Sequence, residues 1–191
     1  MENANGRLLP RSISKVLPNN AALAVALEIL LLLLIGMLAV ALHAKLRIPM
    51  KLPGKHGLVF MMLMVSSRHI SRFPFATSLS CLGASLLLYT NTLGFHDPFM
   101  PIVYITLGVI LDVLFGISSR LDSKFWIVAL AGGIGWMMIP VLRILITMVS
   151  GFPYSSMLTG FAYPLATHFF FGLTGSLIGI LIIKAVSKKQ K

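Results

Sequence analysis

Acidic residues are scarce in this chain: five Asp and Glu stand against sixteen Lys and Arg in 191 residues, and charged residues of both signs make up only 11%. A soluble domain covers its surface with about a quarter of its residues charged, so an ordinary solvated globule is excluded. Cysteine is nearly absent too. Cys81 stands alone, so neither an intramolecular disulfide nor a thiolate metal cluster can form. Sequence signatures of catalysis are also missing. There is no His-Glu-x-x-His, no Gly-x-Ser-x-Gly and no phosphate-cradling glycine loop, and the five His are scattered over loops and separate runs. Gly175-Ser176 is only faintly like a nucleophile environment, and a packing serine explains it. These absences point away from an enzyme and supply no cofactor or metal site. The net charge of +11 does not signal nucleic acid either, because the basic residues sit at the ends of apolar runs rather than along a polar face.

What is present is membrane-like sequence, 57% hydrophobic. Apolar runs cover residues 21–42, 57–67, 75–93, 98–118, 125–149 and 161–186. The first holds a single charge, Glu28, and at about 1.5 Å per residue it crosses the ~30 Å hydrocarbon core of a bilayer. Arg7, Arg11 and Lys15 precede it and Ala39-Val40-Ala41 imitates a cleavage site. The run nevertheless exceeds the roughly 7 to 15 apolar residues of a signal peptide, so it reads as a retained span. The second run is short for a straight span and needs burial among other helices, longer flanks or a partly re-entrant path. Pro53-Gly54, Phe73-Pro74, His96-Asp97-Pro98 and Gly151-Phe152-Pro153 punctuate the runs. The expected fold is an all-α integral membrane protein, a six-transmembrane-helix bundle over 21–186. A basic N-terminal segment, 1–20, precedes it and a basic tail, 187–191, follows. Residues 7–17 fit a segment lying on the membrane surface or a disordered basic tail equally well.

Charge bias sets the expected orientation. With both termini in the cytoplasm of a bacterial or archaeal cell, eleven basic residues fall inside: Arg7, Arg11, Lys15, Arg68, Arg72, Arg120, Lys124, Lys184, Lys188, Lys189 and Lys191. Lys45, Arg47, Lys51 and Lys55 fall outside, all in the first loop.

Ionisable groups within hydrocarbon cost roughly 2.5 to 3.5 kcal/mol on insertion scales, so each needs a partner or a task. Glu28 and Asp112 both fall toward the cytoplasmic end, where Asp112 is expected to satisfy a helix end or pair with Arg68 or Arg72. Trp136, Pro140 and Arg143 share one helical face near the outer surface. Arg143 either snorkels to outer headgroups or faces inward to a ligand. Tyr104, Gly108 and Asp112 form an inward stripe. His168, Gly172, Gly175 and Gly179 form another, whose glycines permit close helix contact. His168 then either packs by hydrogen bonding or meets a ligand.

At this point the chain resembles the substrate-binding S components of energy-coupling factor (ECF) vitamin transporters. Ala22 and Ala26 in Ala21-Ala22-Leu23-Ala24-Val25-Ala26 match the small-residue surface that docks on the coupling subunit. The segment Leu46-Arg47-Ile48-Pro49 through Leu52-Pro53-Gly54-Lys55-His56-Gly57 is similar to the loop that closes over the substrate. The glycine-rich last run with its basic tail is similar to the family's final helix. The resemblance implies a substrate-binding subunit that works with a transmembrane coupling subunit and an ATPase pair in trans. It implies uptake of a small vitamin or precursor bound near the outer face, where the inward cluster of Arg143, His168, Trp136 and Tyr104 lies with Lys51 and His56 of the loop; the basic first loop and Arg143 make an anionic ligand the expectation. Membrane lipid is the surrounding partner, and anionic headgroups alone could also account for the basic first loop. A rival reading is a membrane scaffold resembling the MreD-type cell-shape proteins, similar in size and span number.

Overall fold

The computed structural model describes residues 21–46, 52–120, 125–154 and 160–188. The N-terminal segment 1–20, Arg47, Pro49 and Lys51 of the first loop, Lys124, and Lys189 and Lys191 lie outside the described residues. Among the described residues all regular structure is helical. The order is α1 (Ala21–Lys45), α2 (Gly57–Ile70), α3 (Ala76–Tyr89), α4 (Met100–Arg120), α5 (Phe125–Ser150) and α6 (Ala162–Lys188).

Four of these, α1, α4, α5 and α6, are long and apolar enough to cross a membrane. About 20 residues suffice for a ~30 Å core. Their outward faces carry Leu30, Leu34, Leu38, Val109, Val113, Leu145 and Leu181, all exposed, as a bilayer solvent requires. The chain is a multi-pass membrane protein.

The other two helices are different. At 14 residues each, α2 and α3 reach only about 21 Å. Phe60, Met61, Met64, Val65 and Ser67 of α2 are completely enclosed, because α2 packs on α6, α1, α3 and α5 at the centre of the bundle. The apolar run read as 75–93 is helical only to Tyr89. Thr90 Oγ1 takes the Leu87 carbonyl at 2.7 Å, and Asn91 then turns left-handed at φ 53°, a conformation Asn tolerates better than most residues.

The turn joining α2 to α3 explains both embedded carboxylates. Phe75 at the start of α3 offers no side-chain cap, and Asp112 of α4 replaces one. It accepts the N–H groups of Thr77 and Ser78 at 3.1 and 2.8 Å, together with both hydroxyls. Glu28 of α1 accepts Ser71 Oγ at 2.8 Å, Arg72 N at 2.7 Å and the Arg72 guanidinium at 3.1 and 3.2 Å. By helical rise, Glu28 and Asp112 each lie about 10 to 12 Å inside the nearer end of their own helices, so the turn is recessed to that depth. Non-helical backbone is tolerated there only if protein groups satisfy it. Of the two expectations for Asp112, satisfying a helix end is the one this geometry shows. Arg72 belongs to Glu28, and Arg68 donates to the Phe73 carbonyl at 2.7 Å.

The α6 glycine stripe seats that helix on its neighbours. A Cβ on Gly172 would press on Trp136 of α5, and one on Gly175 or Gly179 would press on the backbone of α2. Only small residues permit such an approach.

Candidate functional site

At the opposite end of the bundle, polar side chains from five elements converge. The inward stripe of α1, Leu32, Gly36, Ala39 and Val40, continues one turn further to His43. His43 Nδ1 lies 3.1 Å from the Tyr104 hydroxyl of α4, and its ring stacks on His56 at 3.9 Å. Phe60 of α2 lies beneath, its ring 4.9 Å from Tyr104 and 5.1 Å from Trp136.

The turn of Pro53, Gly54, Lys55 and His56 roofs this cluster. Trp136 Nε1 donates to the Gly54 carbonyl at 3.0 Å, which latches the turn to α5. Gly54 adopts φ 78°, and a Cβ there would stand 2.7 Å from the His168 ring. Glycine is thus required twice, by backbone conformation and by space. His168 lies 6.1 Å from Trp136, ring to ring. Its Nδ1 contacts the Pro164 carbonyl at 2.7 Å. Because a carbonyl can only accept, Nδ1 carries the hydrogen, and neutral His168 keeps Nε2 as an acceptor.

Arg143 is held differently from Arg72. Its Nη2 stands 3.9 Å from Asp97 Oδ2, beyond hydrogen-bond reach, and its guanidinium lies 5.1 Å from the Tyr154 ring centre. Asp97 Oδ1 is engaged, accepting from Phe99 N at 3.0 Å and Tyr154 Oη at 3.2 Å. Arg143 Nε and Asp97 Oδ2 are buried, and neither finds a hydrogen-bond partner among the described residues.

These groups enclose a cavity of ≈ 200 Å³ lined by His43, His56, Tyr104, Trp136, Arg143, His168 and the roofing turn. A second space of ≈ 290 Å³ is an apolar groove between α4 and α5, lined by residues such as Ile102, Leu142 and Leu145, and it shares Val103 with the cavity. In the loops, burial and then neighbouring Lys55 push the His56 imidazole below its ordinary value, favouring the neutral ring. Burial and then Asp97 push the Tyr154 phenol up to about 12, so it remains a donor. Charge, directional hydrogen-bonding groups and flat aromatic walls suit recognition of an anion bearing a planar or apolar part. Among the described residues, no three His, Cys, Asp or Glu side chains are placed to hold a metal ion.

Of the residues expected from sequence, the structure brings His56, Tyr104, Trp136, Arg143 and His168 to one cavity. Lys51 lies outside the described residues. Ala22 and Ala26 sit far away, exposed at the opposite end of α1. His168 is hydrogen-bonded, as its packing reading expects, and its ring also lines the cavity. Two participants were missed. His43 is legible as the continuation of the small and apolar stripe through Leu32, Gly36 and Val40. Asp97 was passed over as loop punctuation beside Pro98.

No protein-family model, no curated protein and no solved structure matches the chain. The fold and site define a multi-pass helical membrane protein with a basic, partly aromatic cavity near one end.

Proposed function

We propose that this chain is the substrate-binding membrane subunit of an ECF-type transporter, taking up a small anionic molecule. One observation carries the reading: half-buried Arg143, its Nε enclosed and its pairing with Asp97 incomplete, lines a cavity roofed by the first loop. A bound carboxylate or phosphate would give that guanidinium the partner it lacks. In this reading all six helices belong to the membrane domain, with α2 and α3 as a recessed pair. Lys184 and Lys188 belong to the cytoplasmic side with both termini. Ala22 and Ala26, exposed on one face of α1, dock the coupling subunit, which connects to the ATPase pair.

An MreD-type scaffold would need no charged cavity, and a solidly apolar end would have favoured it. Affinity capture of the tagged chain from its native membrane, with mass spectrometry of what accompanies it, tests the choice. The expected companions are an ATPase pair and a membrane coupling subunit, lost when Ala22 and Ala26 are both changed to Trp. Recovery of cell-wall assembly proteins instead would overturn the transporter reading.

A further inference from the structure

The cavity is small for a complete ligand. Its volume of ≈ 200 Å³ falls below the roughly 300 to 1,000 Å³ of typical small-molecule sites. On the other side of Val103 lies the α4–α5 groove of ≈ 290 Å³. Apart from Thr106 and Ser150 its lining is apolar, with Phe99, Ile102, Leu142, Leu145 and Val149 contributing. Ile102, Leu145 and Val149 are exposed, so the groove opens sideways into what would be hydrocarbon. Adjacent residues of α5 serve the two spaces, Leu142 the groove and Arg143 the cavity. A cationic anchor and an apolar trough thus lie side by side along one helix seam, with Val103 lining both.

We propose that the ligand is an anionic amphiphile, a carboxylate or phosphate head on an apolar chain. Its head meets Arg143 beneath the Pro53–His56 turn, and its chain lies in the α4–α5 groove. This rests on the reading of the cavity as the ligand site and adds the class of molecule and a lateral route to it. The buried Arg143 Nε, without a hydrogen-bond partner among the described residues, requires an acceptor in a low-dielectric setting. A head oxygen supplies one. The chain replaces lipid already lining the groove, so it governs selection and access while the head supplies the directed contact.

The test uses the purified chain in nanodiscs with two probes, dodecyl phosphate and ethyl phosphate, and three variants. Arg143→Ala removes the anchor, while Leu145→Trp and Ile102→Trp fill the groove from lipid-exposed positions. Comparing variants with one probe cancels that probe's partitioning into the bilayer. Arg143→Ala is expected to weaken dodecyl phosphate about tenfold to a hundredfold. Each groove variant is expected to weaken it about threefold to tenfold, because the indole occupies the chain's seat beside the head and packing contacts are lost, and to leave ethyl phosphate unchanged. If Arg143→Ala weakens both probes while neither groove variant discriminates between them, the amphiphile proposal is overturned and the anion site stands. If Arg143→Ala weakens neither probe, the site reading fails as well.

Discussion

Where α2 turns into α3, Glu28 and Asp112 each accept four hydrogen bonds, and every one goes to the turn or to the first residues of α3. At the cavity end, Arg143 and Asp97 approach only to 3.9 Å, and each retains a buried atom without a hydrogen-bond partner among the described residues. Both ends carry the expense of removing charge from water. One recovers it in backbone hydrogen bonds, so its charges are structural. The other leaves part of it unrecovered, and that difference is what the proposed anion site rests on. Ser80 Oγ and Ser176 Oγ are also unpartnered, but these are single hydroxyls at close helix crossings, where a small rotation reaches the preceding turn.

The largest effect is expected at the closed end. Asp112→Leu strands two α3 N–H groups and should cost about 3 to 5 kcal/mol of stability, summing the penalties for buried unsatisfied donors. Thermal unfolding in detergent measures it, and an unchanged midpoint would remove the structural role assigned here. A smaller loss, about 1 kcal/mol, is expected for Trp136→Phe, which deletes the bond to Gly54 and keeps the aromatic wall. Hydrogen exchange at the roofing turn should quicken, whereas unaltered exchange would show that the latch holds nothing.

Arg143→Met sharpens the contrast from the other side. Because the ion pair is long and poorly bonded, Arg143→Met combined with Asp97→Asn, which leaves no lone charge behind, should change stability by less than about 1 kcal/mol of either sign. A loss as large as that of Asp112→Leu would make the two ends alike and defeat the comparison. The smallest effect concerns pH. The folded-state pKa of His56 is lowered, so below the unfolded value of about 6.5 the unfolded chain binds the extra proton. Stability is therefore full above that pH and falls on acidification toward the folded-state pKa. His56→Gln should flatten the profile in that window, and identical profiles would count against burial of the ring.

Helical periodicity made much of this arrangement legible. Tyr104 with Gly108, Trp136 with Arg143, and His168 with its glycines each mark one face of a long helix, and faces that cannot meet lipid turn inward. Hydropathy could not show that α3 stops at Tyr89, because Leu93 beyond the turn is as apolar as the helix before it. Nor could it assign Arg72 to Glu28, a partner 44 positions away. The recessed turn was foreshadowed only by the shortness of the second run. Its cause, two carboxylates reaching in from α1 and α4, is a tertiary fact that no local pattern encodes.

The same recess shortens the protein along the axis of the bundle. Phe60, near the start of α2, packs against the rings of Tyr104 and Trp136, and α2 ends at the sunken turn. Between the roofing turn and the sunken turn the α2 column is therefore only about 21 Å deep, against the ~30 Å of a hydrocarbon core. If the chain transports a solute as proposed, about a third of the barrier is already missing at the axis of the bundle, and a modest tilt of α2 would bring the two aqueous phases much nearer to each other than the outer helices suggest.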